Sequence, residues 1–254
     1  VGLILWRDLR TVERLLLGLA ERHRDTPMAG RTHGQGGSPI TFGFKAASWA
    51  DEIGRHLERL RQGASRWLVG QLAGGVGTLA FFGEAGPQLR HRFCERLGLV
   101  DPGMSWTTSR DRLAEFSTLM ALVSGTLARI GNEVYQLQRP EIGELREATR
   151  PGAVGSITMP HKRNPERSEH LDTLARLVRA NAGVLLEGMV QIHERDGRVW
   201  KAERFSWWYT TVLHRFPENG PIGQKLQRAE LEYLVRSEAA STAIREAGGW
   251  AFWV

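Results

Sequence analysis

The chain has 254 residues, of which 41% are hydrophobic, so it is long enough for one large domain or two small ones. No apolar run reaches the ~18 residues of a membrane span, and a single cysteine, Cys94, excludes an internal disulfide, so we expect a cytoplasmic protein without a membrane partner. The net charge of +6 is spread over mixed arginines and glutamates, which favours an anionic small-molecule substrate over nucleic acid.

The first third of the chain predicts two helices separated by a loop. A short helix is predicted over residues 9–24 and a glycine-rich loop over residues 25–41. In that loop, Thr32 and His33 lie among glycines, which let the backbone approach a ligand closely. An exposed histidine is common, so His33 is by itself only weak evidence for an acid or base. A longer helix follows, with apolar residues three or four positions apart: Ala46, Trp49, Ile53, Leu57 and Leu60.

Two further long helices are predicted in the second half, with apolar stripes that run over residues 113–137 and 171–192. Both show the same apolar spacing of three and four residues, which marks the buried stripe of an amphipathic helix. Loops are expected at residues 70–78, 101–109 and 139–165. No stretch alternates as a half-buried strand does, so the predicted fold is all-α, a bundle of long helices. Helices of this length also bury well against other subunits, so we expect an oligomer.

The most polar loop, residues 149–164, precedes the last of these helices. Ser156 is a candidate nucleophile or base, and Lys162 and Asn164 are candidates for binding a carboxylate or an enolate-like anion. Asn164 and Pro165 suit the N-cap and first position of the helix, whose positive end favours anions. A plain solvated loop before a capped helix is the alternative. No metal-binding pattern and no requirement for a cofactor is apparent.

Several motifs resemble the fumarase/aspartase superfamily. The segment "GSITMPHKRNP" is similar to its GSSxMPxKxNP pattern, although Ile157 replaces the second serine. The segments "GRTHGQ" and "PITFGFKAASW" resemble a second active-site region. The segments "SRDRLAEF" and "RPEIGELRE" resemble the branch that contains adenylosuccinate lyase and 3-carboxy-cis,cis-muconate cycloisomerase. The likeness runs from about residue 3 to residue 204.

The resemblance implies a homotetramer with active sites shared between subunits, and it assigns roles to individual residues. Ser156 is the implied general base, and His33 the implied acid or proton relay, oriented by Glu169. The remaining implied residues bind the anionic substrate or its developing charge: Thr32, Gln35, Lys162, Asn164, Arg195 and Arg198. The implied reaction eliminates fumarate from an N-substituted aspartate, as adenylosuccinate lyase does.

Two departures from the pattern keep other functions open. The segment "HERDGRVWKAER" retains Arg195 but has Arg198, Trp200 and Lys201 where many adenylosuccinate lyases have serines, and its "WKAE" is more similar to the cycloisomerase pattern. The superfamily also carries an N-terminal portion that this sequence lacks, so we expect a fragment whose activity is impaired. A non-catalytic scaffold that only oligomerises is the third alternative. Residues 1–204 are expected to form the helical domain, and residues 205–254 an atypical tail of unassigned role.

Overall fold

The computed structural model describes residues 2–148, 158–159 and 162–191. Within them lie five α-helices, one two-stranded sheet and a short 3₁₀ segment. In chain order the elements are α1 (Gly2–Arg22), β1 (Pro27–Thr32), β2 (Gln35–Thr41), α2 (Phe42–Trp67), the 3₁₀ segment Ala80–Ala85, α3 (Gly86–Leu97), α4 (Asp111–Leu137) and α5 (Glu166–Glu187). The prediction of an all-α bundle of long helices is confirmed.

The core lies between α1, α2 and α4. All five apolar residues that predicted α2 are buried, and Ile53 has no exposed surface. The predicted stripe of α5 is only partly covered within one chain, since Leu174 remains 38% exposed and Met189 45%. Helix α1 begins seven residues earlier than predicted, and α3 was not predicted. Helix α3 buries only Gly86 and Cys94. With so few buried positions its sequence shows little apolar periodicity, which is why the helix was missed.

Ion pairs join α2 and α4 along their whole length. The partners run in opposite directions along the two helices, as antiparallel packing requires: Lys45–Glu133, Glu52–Arg129 and Arg66–Glu115. Between them, the buried His56 imidazole lies 2.8 Å from the Thr126 hydroxyl, which in turn donates to Glu52 at 2.6 Å. These contacts fix how α2 and α4 are placed along each other.

Among the described helices, α4 alone is long and apolar enough to cross a membrane by length and composition. Nine of its residues are buried in the protein, and it packs on both α2 and α5. Its charged side chains Glu115, Arg129 and Glu133 pair with α2. This packing is that of the central helix of a bundle.

The predicted loop over residues 25–41 is instead an antiparallel β-hairpin, β1–β2, so that prediction was wrong. The pairing register shifts between Ala29 and Arg31. A side chain at Gly30 would come within 2.6 Å of the Ser38 carbonyl oxygen, so the close approach of the strands requires glycine there. Glycines and exposed polar residues gave these strands no alternating pattern in the sequence.

Candidate functional site

The tip of the hairpin presents the predicted residues Thr32, His33 and Gln35. His33 and Gly34 form a two-residue connection, and both have positive φ, 53° and 74°. Such a backbone is typical of the tight turns that match the twist of paired strands. All three predicted side chains are exposed. The hairpin thus holds His33 at an outward tip between two residues expected to bind substrate.

The hairpin is fastened to the segment that follows α4, here called the clasp segment (residues 138–148). The Arg31 guanidinium donates to both carboxylate oxygens of Glu144, at 2.6 and 2.9 Å. The Arg31 hydrogen bond is the largest cause that keeps the pKa of Glu144 below its usual value, and burial opposes it. Ile142 and Leu145 of the clasp segment pack against the hydrophobic core. The clasp segment is therefore held on one side by apolar packing and on the other by an ion pair.

The start of α5 differs from the prediction. The helix begins at Glu166. Pro165, with φ −81° and ψ 59°, is in the N-cap position, and its own side chain makes no capping hydrogen bond. Asn164 is therefore not the N-cap, and Pro165 is not the first helical residue. The ψ of Pro165 lies outside the helical region, so the helix starts one residue later. Lys162 is exposed, and its backbone N–H donates to the Met159 carbonyl at 2.9 Å.

Glu147 of the clasp segment caps α5. One of its carboxylate oxygens accepts the N–H of Ser168 at 2.7 Å and the Ser168 hydroxyl at 2.5 Å. The other oxygen accepts the N–H of Arg167 at 3.2 Å. A helix N-terminus attracts anions because its first N–H groups lack partners within the helix. At this end of α5 the anion is a carboxylate of the chain itself.

Gln138 completes these contacts. Its side-chain carbonyl accepts the N–H of Glu147 at 2.7 Å, and its amide donates to the Arg163 carbonyl at 3.1 Å. Arg163 lies between the predicted substrate-binding residues Lys162 and Asn164. One glutamine at the end of α4 therefore contacts both the capping glutamate and the segment that carries the predicted anion-binding residues.

The chain does not pair the predicted catalytic partners His33 and Glu169. Glu169 is exposed on the first turn of α5, and no hydrogen bond or ion pair joins it to His33 among the described residues. Their expected contact across subunits stays a prediction. Ser156, Arg195 and Arg198 lie outside the described residues, as does the domain boundary expected at residue 204. Within the described part of the chain, no group of three histidine, cysteine or acidic residues is placed to hold a metal ion.

Sequence reasoning assigned no role to Arg31, Gln138, Glu144 or Glu147. Glutamates recur every three residues in the segment "RPEIGELRE", and two of them, Glu144 and Glu147, were a usable signal. Both act as anions at positions that need one: Glu144 opposite a guanidinium and Glu147 at a helix start. Nothing in the sequence showed which partner each would meet.

Comparison with known proteins places this geometry in context. Residues 3–180 match a protein family described as Lyase. The chain is 47% identical over 200 residues to the N-acetyl-S-(2-succino)cysteine lyase of Dickeya dadantii, covering 79% of this chain and 44% of that protein. It is 45% identical over 194 residues to the adenylosuccinate lyase of Pyrococcus horikoshii, covering 76% of this chain and 43% of that protein.

The fold also matches solved structures. The 3-carboxy-cis,cis-muconate lactonizing enzyme from Pseudomonas putida superposes with a TM-score of 0.76 at 37% identity, over 81% of this chain and 46% of that one. The chain thus spans less than half the length of the relatives it matches.

Proposed function

The chain belongs to this lyase family, within the fumarase/aspartase superfamily, and from that membership we propose that the complete protein eliminates fumarate from a succinyl group attached to a heteroatom. The observation that supports this most is the attachment of two elements to one short segment. The hairpin that carries His33 is bound to the clasp segment through Glu144. The segment that carries Lys162 and Asn164 is bound to it through Gln138, and the start of α5 through Glu147.

The proposed chemistry uses each residue for one task. Ser156 removes the proton next to a carboxylate, and the electron pair moves into that carboxylate to form a doubly charged intermediate. The Lys162 ammonium and the Asn164 amide stabilise this charge. The carbon–heteroatom bond then breaks, its electrons leave with the heteroatom, and His33, oriented by Glu169, supplies the proton. Fumarate and a protonated leaving group are the products.

Other residues hold the substrate. Thr32 and Gln35 flank His33 at the hairpin tip, where they bind the second carboxylate of the succinyl group. Arg195 and Arg198 bind the leaving-group portion, and fixed placement of both ends holds the reacting carbon against the base. The proposal includes a homotetramer in which different subunits complete each site, since His33 and Glu169 are not joined within one chain.

The leaving group is a thiol or an amine. The initial expectation, an N-substituted aspartate such as adenylosuccinate, is supported by the 45% identical relative. An S-succinyl amino acid is supported by the 47% identical relative, and Trp200 in place of a serine counts against a nucleotide leaving group. We favour the S-succinyl compound for these two reasons. The lactonizing enzyme from Pseudomonas putida supports a second function, cycloisomerisation of 3-carboxy-cis,cis-muconate on the same base.

A substrate panel tests these functions on the complete open reading frame that encodes this chain. The panel contains N-acetyl-S-(2-succino)cysteine, adenylosuccinate and 3-carboxy-cis,cis-muconate, and fumarate is quantified by its ultraviolet absorbance and by chromatography. Fumarate with a free thiol supports the favoured substrate, and fumarate with a free amine supports the aspartate. Lactone without fumarate supports the cycloisomerase. An intact oligomer that converts none of the three compounds contradicts the proposal and supports the alternative of a non-catalytic scaffold.

A further inference from the structure

The contacts around the start of α5 are more numerous than helix capping requires. The Glu147 carboxylate accepts three hydrogen bonds from two consecutive residues, Arg167 and Ser168. Ser168 is 5% exposed, and the glutamate that reaches it is half-buried. Glu147 itself is held through its backbone by Gln138, at 2.7 Å. A surface cap needs no such second support, because water can satisfy the remaining groups.

Two of the residues bound in this way, Arg163 and Ser168, adjoin residues with proposed roles. Gln138 contacts the carbonyl of Arg163, which is the residue between Lys162 and Asn164. Glu147 contacts Ser168, which directly precedes Glu169. A displacement of about 1 Å at reacting groups can cost about a hundredfold in rate. The two side chains therefore fix the backbone beside three proposed site residues without touching a substrate.

The first turn of α5 is also packed closely against α4. A side chain at Gly131 of α4 would come within 3.1 Å of the Ser168 carbonyl and of Leu171. Helix α5 thus rests directly on α4, and the polar contacts of Glu147 and Gln138 hold its start from the other side. With either support removed, the first turn of α5 is free to fray, as unsupported helix ends do.

We propose that Gln138 and Glu147 are positioning residues for the elimination, which set the placement of Lys162, Asn164 and Glu169. This inference rests on the proposed function. It also assigns the N-terminal amides of Arg167 and Ser168 to an internal carboxylate. Substrate anions are then bound by side chains and not by this helix end.

The test compares Glu147→Ala, Glu147→Gln and Gln138→Ala in the complete protein. Glu147→Ala and Gln138→Ala should each lower kcat at least about tenfold while KM changes less than about threefold, because binding groups remain but their alignment is lost. Glu147→Gln should recover kcat to within about threefold, since its amide oxygen still accepts from Ser168. The pH dependence of kcat should keep its shape, because a positioning residue does not exchange the proton.

Glu166→Gln is the matched control. It removes one negative charge from the same turn of α5, but its carboxylate is exposed and has no partner among the described residues. Its kcat should equal that of the unaltered protein. Measurements are made where circular dichroism shows each variant folded. A folded Glu147→Ala protein with unchanged kcat overturns the proposal, and so does a Glu147→Gln protein as impaired as Glu147→Ala.

A second readout does not depend on activity. Hydrogen–deuterium exchange at the amides of Arg167 and Ser168 should become about fivefold faster or more in Glu147→Ala, the usual scale for loss of a helix cap. Exchange in α2 should stay unchanged. Unchanged exchange at the start of α5 overturns the anchoring. A protein with the expected exchange but no conversion of any panel substrate contradicts the proposed function instead.

Discussion

Arg31 and Glu144, 113 residues apart in the sequence, form a two-point ion pair that binds the hairpin to the clasp segment. Both side chains are about three-quarters buried, with exposures of 23% and 24%. Two parallel N–H···O bonds fix direction as well as distance, which a single contact would not. The exposed tip at His33 is held two residues from this pair.

Glu144→Gln should therefore lower the free energy of unfolding by about 1–2 kcal/mol at pH 7, the usual scale for hydrogen bonds to a charged group. Arg31 lowers the pKa of Glu144 below its ordinary value of 4.5, so the pair stabilises the fold above that pH and is lost as the pH falls through the lower folded-state pKa. Urea unfolding at pH 7 and at pH 3 measures the effect. The difference in stability between Glu144→Gln and the unaltered protein should be smaller at pH 3 than at pH 7.

Glu141→Gln is the control for this pair. Glu141 lies in the same segment but is 69% exposed, with a single contact of 3.4 Å to Arg139. It should change the free energy of unfolding by less than about 0.5 kcal/mol. Equal effects of the two substitutions would show that the Arg31 contact does not stabilise the fold.

His56 should make the fold less stable in mild acid. Burial lowers its pKa from 6.5, with the charge of Arg59 adding to the effect and Glu52 opposing it. The unfolded chain therefore binds the proton more readily, so stability is lost as the pH falls from 6.5 through the lower folded-state pKa. His56→Gln keeps a donor for Thr126, and it should reduce the dependence of the free energy of unfolding on pH. Urea midpoints between pH 5 and pH 8 test this, and an unchanged slope would contradict it.

His170→Gln provides the comparison for His56. His170 is exposed on α5 and has no side-chain partner among the described residues. Its substitution should leave the slope between pH 5 and pH 8 as it is. If the pH dependence of the unfolding free energy changes with His170→Gln and not with His56→Gln, the acid sensitivity does not come from the buried histidine.

The contact between α4 and α5 should not tolerate a methyl group at Gly131. An added Cβ would meet the Ser168 carbonyl and Leu171 at 3.1 Å, so α5 would have to shift. Gly131→Ala should cost about 1–3 kcal/mol by overpacking. Gly125→Ala on the same helix has nothing within 4 Å, and should stabilise by up to about 1 kcal/mol through helix propensity. Thermal unfolding of both proteins checks the opposite signs, and matching signs would reject the packing argument.

Ser156→Ala in the complete protein should reduce turnover at least about a hundredfold, the scale for loss of a general base. Ser65→Ala, which removes an exposed hydroxyl from α2, should leave turnover unchanged. Fumarate release under saturating substrate is the measurement. Full turnover without the Ser156 hydroxyl would remove this residue from the mechanism.

Mixed subunits test the shared active site. His33→Ala and Ser156→Ala proteins are each expected to be inactive. When the two are unfolded together and refolded, about a quarter of the sites should regain both residues if they come from different subunits at random. Fumarate release from the mixture measures this recovery. A mixture as inactive as its components would place His33 and Ser156 on one subunit, or leave the subunits unassociated.

The long helices were predictable because their information is local. The stripe from Ala46 to Leu60 repeats every three or four residues, and that spacing alone puts the side chains on one face. The hairpin was missed for the opposite reason. Met28 is almost the only buried residue of the hairpin over residues 27–41, so the sequence shows no alternation of apolar and polar residues. The pairing of the strands depends on glycines, which in a sequence indicate a loop.

Candidate site residues could be named from the sequence, and their roles stay predictions, but the side chains that support them could not be foreseen. The motifs at Thr32–Gln35 and Lys162–Asn164 could be identified by resemblance, because fixed spacings of polar residues are visible in the sequence. The N-cap at Asn164 could not be placed correctly, since residue preference at a helix start competes with any carboxylate brought in from elsewhere. Here that carboxylate is Glu147, 21 residues before Ser168.

The sequence by itself determined the long helices α2, α4 and α5, which superfamily the chain belongs to, and which polar residues are candidates for chemistry. Only the tertiary structure decided that Arg31 meets Glu144, that Glu147 caps α5, and that His33 and Glu169 do not meet within one chain. Helical periodicity depends on neighbours a few residues away, so it can be recognised within a short stretch of sequence. A hydrogen bond between distant residues depends on distances and directions that exist only once the helices have packed.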